Sequence, residues 1–234
     1  ISAEPSTMTL PPTLWVSDAR EPRSLRLPVT WLLAATALQM PSVLTARTPV
    51  PAIEAVPRGA RHSLTRDRGA VRHHYDVSNL FYSWVLGPSM AYTCAVYPTL
   101  DATLEEAQEE KFDLVCRKIG LKPGMTVLDL GCGWGCFSKF AAEKYGVSVL
   151  GVTLSKEQVA LGMEMCKGLP VELRLQDYRD VSGTYDRVVS VGLMEHVGYK
   201  NYRHFFEVIH RTLKDDNSTA LVHTIGGNIS AAST

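Results

Sequence analysis

The sequence predicts an α/β fold built on a mostly parallel sheet with helices on both faces. Three observations carry that expectation. From about residue 125 onward, apolar runs of strand length alternate with amphipathic stretches of helix length. The first of those runs ends in a glycine-rich turn, Gly131-Cys132-Gly133-Trp134-Gly135, that opens a helix. Strand and helix alternating at this interval implies right-handed crossovers, which set successive strands parallel.

The elements follow in order. Thr103-Leu104-Glu105-Glu106 reads as a capping box, in which the Thr hydroxyl and the Glu carboxylate satisfy free amides at a helix start. The helix is expected to run to about Lys118 and to stop at Gly120. Residues 125–130 form a buried strand, 134–145 a helix, 147–152 a strand and 155–167 a helix. Residues 171–176 and 185–191 are further strands, 201–213 a helix and 218–224 a fifth strand.

Residues 1–68 read differently. Nine of the 13 prolines lie at or before Pro57, every basic residue before Lys111 is Arg, and no hydrophobic period holds for long. A disordered, loosely helical or targeting-like extension is expected there, ahead of a helical segment over residues 69–124 and the core over residues 125–234. The apolar run 31–38, behind Arg20, Arg23 and Arg26, has the outline of a targeting segment and is too short to span a bilayer.

With 45% hydrophobic residues, the 234-residue chain is long enough to bury one substantial core. Lys plus Arg and Asp plus Glu both number 24, so no overall field draws in a polyanion, and nucleic-acid binding is not expected. The five cysteines are odd in number and lack a repeating pair spacing, as for reduced thiols. Cys132 and Cys136 have no second pair or His at a zinc-site spacing, so they read as structural thiols and no metal is expected.

The run from Val127 to Gly135 carries the chemistry. Glycines let the backbone approach a ligand closely, and free amides at a helix start favour a negative group, so a nucleotide-like ligand is expected at the carboxyl ends of the strands. A dinucleotide fingerprint needs a further glycine where Cys136 stands, so the dehydrogenase pattern fails. Asp129, Gly131, Gly133 and Gly135 are the candidate cofactor residues of this motif. After the second strand, Thr153 and Gln158 stand where ribose hydroxyls would be met. After the third, Asp177 suits the edge of an adenine and Tyr178 its ring face.

The glycine run resembles the first motif of S-adenosylmethionine methyltransferases. His74-Tyr75-Asp76, Asn79, Phe81-Tyr82, Met90-Ala91-Tyr92-Thr93-Cys94 and residues 104–111 resemble the cyclopropane-fatty-acyl-phospholipid synthases and mycolic acid cyclopropane synthases. So do residues 151–158, 176–180, 190–202 and 223–226, and together these cover roughly residues 73–228 in the family's order. The resemblance implies a Rossmann-like methyltransferase fold. It also implies a reaction in which the methyl of S-adenosylmethionine is added to a cis double bond of a phospholipid acyl chain. The resulting carbocation loses a proton to bound bicarbonate, and the ring closes.

Carried across by motif, Cys94, Glu195, His223 and the backbone of Ile225 match the family's bicarbonate contacts, and Tyr92 and Thr93 lie near the methionine carboxylate. The chain departs from the family at Ser78 and Cys136, usually Gly, at Leu80, usually an acid, and at Thr93, usually Ser. The substrate implies cytoplasmic placement with peripheral access to acyl chains at the membrane surface, no transmembrane helix, and a homodimer among the open oligomeric states. In the family two further strands follow the fifth, so the last strands are expected to be missing, and the chain alone to bind cofactor weakly and turn over poorly. A related methyltransferase acting on an amine or other small molecule, and an inactive remnant, are the competing readings.

Overall fold

The structure is a computed structural model that describes residues 63, 66 and 69 and then residues 78–226 continuously. Expectations for the first 62 residues, and for His74-Tyr75-Asp76, lie outside the described residues.

Helix α1 (Asn79–Leu86) starts at Ser78, whose hydroxyl accepts from Leu80 N and Phe81 N. Helix α2 (Leu104–Lys118) begins with the expected capping box. Glu106 N donates to Thr103 Oγ1 at 3.2 Å, and Thr103 N donates to Glu106 Oε2 at 2.8 Å. Glu105 and Glu106 in its first turn and Arg117 and Lys118 in its last complement the helix dipole. Ile119 caps it, and Gly120 turns away at φ +60°.

Strands β1 (Thr126–Leu130), β2 (Ser148–Thr153), β3 (Val171–Leu175), β4 (Arg187–Val191) and β5 (Thr219–His223) form one sheet in the order β3-β2-β1-β4-β5. Every pairing in it is parallel. Helices α3 (Cys136–Tyr145), α4 (Lys156–Met165), the single turn α5 (Met194–Val197) and α6 (Tyr202–Thr212) connect them. This is the parallel sheet the alternation implied, in the Rossmann-like arrangement the resemblance implied.

Side chains alternate across the sheet and divide the core into two layers. On one face Val127, Val149, Val171 and Val189 pack with Phe112 and Val115 of α2 and Phe137 and Ala141 of α3. On the other, Leu128, Leu130, Leu150, Val152 and Val188 pack with Phe205 and Ile209 of α6. The inner strands β1, β2 and β4 are mostly apolar on both faces, whereas the edge strand β3 carries Glu172 and Arg174 on its outer one.

Most element ends shift by a residue or two from the sequence expectation, and two starts and one added helix stand out. Helix α3 starts two residues late because Gly135, at φ +75°, is left-handed and ends the turn. That frees Trp134 to pack on Tyr82, with ring centroids 4.8 Å apart. Strand β4 starts at Arg187, since Asp186 turns its carboxylate to Thr126 N (2.8 Å), Thr126 Oγ1 (2.9 Å) and Lys214 Nζ (3.1 Å), and Tyr185 makes only an isolated bridge to Leu213. The short α5 was not expected. Among the described residues no helix is long and apolar enough to cross a membrane.

Candidate active-site cleft

The chain runs outward from β1 to β2 and β3, then returns to the other side of β1 to lay down β4 and β5. Adjacent strands β1 and β4 therefore send their following loops in opposite directions, which opens a crevice at their carboxyl ends. A cleft of about 170 Å³ lies there. Asp129, Gly131, Cys132, Gly133 and Trp134 from β1 and its turn line it, with Val152 and Thr153 from β2, Gln176 and Tyr178 from beyond β3, and Val191 to Leu193 from the end of β4. Met90 to Thr93, ahead of α2, close it from above.

The turn is held in place from several sides. Gly131 N and Cys132 N donate to Val152 O at 3.0 and 3.1 Å, and Gly135 N donates to Cys132 O at 2.9 Å. These amides, expected to attract a negative group, are engaged within the protein. Trp134 Nε1 donates to Asn79 Oδ1 at 2.8 Å, and Asn79 Nδ2 donates to Glu157 O at 3.1 Å, so one side chain ties α1, the turn and the start of α4 together.

The candidate cofactor residues do not all face the cleft. Tyr92, Thr93, Asp129, Gly131, Gly133, Thr153, Gln158 and Tyr178 line it. Gly135 does not: a Cβ there would stand 2.8 Å from Leu173 Cδ1, so this glycine serves the packing of the turn against β3. Asp177 also lies behind the wall. Its buried carboxylate caps the turn Tyr178–Asp180 by accepting from Arg179 N at 3.0 Å, and it pairs with Arg179 Nε and Nη2, each at 2.8 Å. That guanidinium occupies the oxygens an adenine edge was expected to meet.

Thr153 Oγ1 donates to Gln158 Oε1 at 2.5 Å, which fixes the Gln158 amide with its Nε2 donor unpaired among the described residues. Asp129 is buried, and Ser138 Oγ donates to its Oδ2 at 2.8 Å. Burial pushes its carboxyl up to about 7, against the opposing pull of that hydrogen bond. Burial also pushes the Cys132 thiol well up and the Cys136 thiol to about 12. Burial thus favours the protonated thiol in both, which disfavours a thiolate nucleophile here. Among the described residues no group of His, Cys, Asp and Glu could hold a metal ion.

None of the four candidate catalytic residues lines the cleft, but Glu195 and the backbone of His223 stand beside Gly192, which does. A Cβ on Gly192 would lie 2.8 Å from Thr93 Cγ2 and 3.9 Å from Glu195 Oε1, so its lack of a side chain lets the 90–94 segment approach β4. Gly192 N donates to His223 O at 3.1 Å, and Thr224 Oγ1 donates to Glu195 Oε2 at 3.0 Å. His223 Nδ1 is buried and has no hydrogen-bond partner among the described residues. Cys94, next to Thr93, is exposed, and Ile225 is 70% exposed.

Sequence reasoning overlooked several residues of the site. Gly192, Leu193 and His196 line the cleft, and their signal was a glycine directly after an apolar strand. Lys111 and Gln108 stand behind Thr93 on one face of α2. Their signal was a polar pair at i, i+3 on a helix otherwise apolar on that side.

The chain is 50% identical over 155 residues to the cyclopropane-fatty-acyl-phospholipid synthase of Escherichia coli strain K12, covering 66% of this chain and 40% of that protein. It thus spans about two fifths of the length of that relative. Among solved structures it is similar to the cyclopropane synthase MmaA2 from Mycobacterium tuberculosis, with 39% identity and a TM-score of 0.65 over 67% of this chain and 56% of that one. It is also similar to mycolic acid cyclopropane synthase CmaA1 complexed with SAH and CTAB, with 39% identity and a TM-score of 0.62 over 66% of this chain and 55% of that one. Residues 62–233 match the family model described as mycolic acid cyclopropane synthetase, and the chain belongs to that family.

Proposed function

We propose that this chain binds S-adenosylmethionine in the cleft and carries the reacting centre of an enzyme that adds a methylene carbon to a cis double bond of a phospholipid acyl chain. The observation that carries the reading is the meeting of two sets of residues at Gly192: the cleft at the strand ends and the Thr93, Glu195 and His223 group beside it.

The residues fit the donor. Thr153 and Gln158 supply polar groups for ribose hydroxyls, and the Nε2 of Gln158, unpaired among the described residues, is a ready donor. Tyr178 offers a ring face to the adenine, held edge-on against Phe205 at 5.6 Å. Tyr92 and Thr93 sit at the end suited to the amino-acid tail. When bound, S-adenosylmethionine supplies an electrophilic methyl group on a sulfonium.

An olefin is a weak nucleophile, so fixing the chain in line with that methyl must supply much of the rate. Phe112, Phe137, Val191, Leu193 and Val197 line the cleft with apolar surface, which keeps water from trapping a cationic carbon on the substrate. Proton removal needs a base held close by. The orphaned His223 Nδ1 fits a bound oxyanion such as bicarbonate, because a buried polar atom without a partner is otherwise costly. Glu195 keeps Oε1 to accept a proton from a bicarbonate hydroxyl while Oε2 is anchored by Thr224. Cys94 and the Ile225 backbone complete the proposed site.

Access to the substrate is by peripheral contact with a membrane surface on the cytoplasmic side. Helix α1 supports this: Leu80, Phe81, Trp84 and Val85 are exposed, Trp84 to 75%, and the helix has no charged residue. Incubating the protein with S-adenosylmethionine, bicarbonate and vesicles of cis-unsaturated phospholipid tests the whole reading. Mass spectrometry is expected to find acyl chains that have gained one carbon and two hydrogens without regaining a double bond, and the protein is expected to sediment with the vesicles. A carbon gained on the head group would assign the activity to an amine methyltransferase, and unchanged lipid would overturn the proposal.

A further inference from the structure

Lys111 is 3% exposed, and its ammonium donates to two neutral oxygens, Thr93 Oγ1 and Gln108 Oε1, each at 2.5 Å. Among the described residues no carboxylate lies within ion-pair distance of it. A lysine is seldom buried so completely without an acidic partner. The remaining contact is the face of Phe112, 4.4 Å from Nζ to the ring centroid, which softens a buried charge without neutralising it. A net positive charge is thus fixed one side chain behind the cleft wall.

Thr93 is the residue between that charge and the cleft. Gln108 Nε2 donates to its carbonyl oxygen at 2.9 Å while Lys111 donates to its hydroxyl, so α2 grips Thr93 by backbone and side chain together. A hydroxyl oxygen that accepts from an ammonium must aim its own proton elsewhere. Among the described residues no acceptor takes that proton, and Thr93 lines the cleft. The pair therefore presents a polarised donor, backed by a cation, toward whatever occupies the cleft at this end.

We infer that Lys111 is a positioning residue that acts through Thr93 to hold a carboxylate of the bound ligand, which on the reading of the cleft given above is the amino-acid carboxylate of the methyl donor. Among the described residues the groups around its ammonium are the hydroxyl of Thr93, the amide of Gln108, the Phe112 ring and the thiols of Cys94 and Cys136, with no carboxylate among them. Burial pulls Lys111 down to about 8, which still leaves the ammonium as its main form at neutral pH.

Two ligands separate this role from simple support of the fold. S-adenosylhomocysteine carries the amino-acid tail; 5′-methylthioadenosine has the same adenosyl thioether without it. Calorimetric titration of the full chain is expected to show Lys111→Met weakening S-adenosylhomocysteine by about tenfold or more and 5′-methylthioadenosine by less than about twofold. Thr93→Val, which removes the hydroxyl and leaves the charge, is expected to reproduce the selective loss, with the double variant little weaker than either single one. It carries the test alone if Lys111→Met does not fold. Equal losses for both ligands, an unchanged affinity for S-adenosylhomocysteine, or fully additive effects would overturn the inference. If the unaltered chain binds neither ligand, the reading of the cleft fails as well, a result distinct from binding both without dependence on Lys111.

Discussion

Asp129 holds its carboxyl in the floor of the cleft, buried against Ser138, where the ionised form loses most of its hydration. With the folded-state value lifted to about 7, the folded chain keeps this proton across a window, from the ordinary carboxylate range up to about 7, in which the unfolded chain has lost it. The folded state then binds more protons, so this group's contribution to stability is complete below that window and is lost as pH rises through it. Asp129→Asn cannot ionise and should lack that slope. Urea denaturation at a series of pH values is expected to show the variant gaining on the natural chain between about pH 4 and pH 8. A difference that stays flat with pH would mean that Asp129 is not held protonated. Any stability gained above pH 7 is expected to accompany weaker ligand binding, since the residue lines the cleft.

The elements show which local signals suffice. The capping box of α2 was legible because its partners are three residues apart, and the helix occupies the span expected of it. The start of α3 was misjudged because a glycine's left-handed φ cannot be read from the apolar period that follows it. Gly135 measures that cost. Gly135→Ala would place a non-glycine at φ +75° and a Cβ 2.8 Å from Leu173, whereas Gly124→Ala, at φ +83°, meets nothing within 4 Å. Gly124→Ala is expected to destabilise by about 1 kcal/mol, the backbone cost alone, and Gly135→Ala by about 2 to 3 kcal/mol as Leu173 is displaced. Thermal or urea unfolding compares the two, and equal losses would show that β3 accommodates the methyl freely.

Over the whole molecule, the parallel sheet and the place of the cleft were legible because both follow from the alternation of elements and the turn after β1. Which candidate residues face that cleft was not. Asp177 has the right chemistry at the right strand end, but Arg179, two residues on, takes its oxygens. Gly192 and Lys111 gain their meaning only where β4 and α2 converge on Thr93, a juxtaposition of residues far apart in the chain. The central claim is that one cleft holds the adenosyl donor with its sulfur turned toward the residues around Gly192. A crystal structure of the chain grown with S-adenosylhomocysteine tests this most directly. The expected density has the adenine against Tyr178, the ribose at Gln158 and the sulfur facing Thr93, Glu195 and His223; a ligand bound elsewhere, or reversed so that its sulfur faces Tyr178, would contradict it.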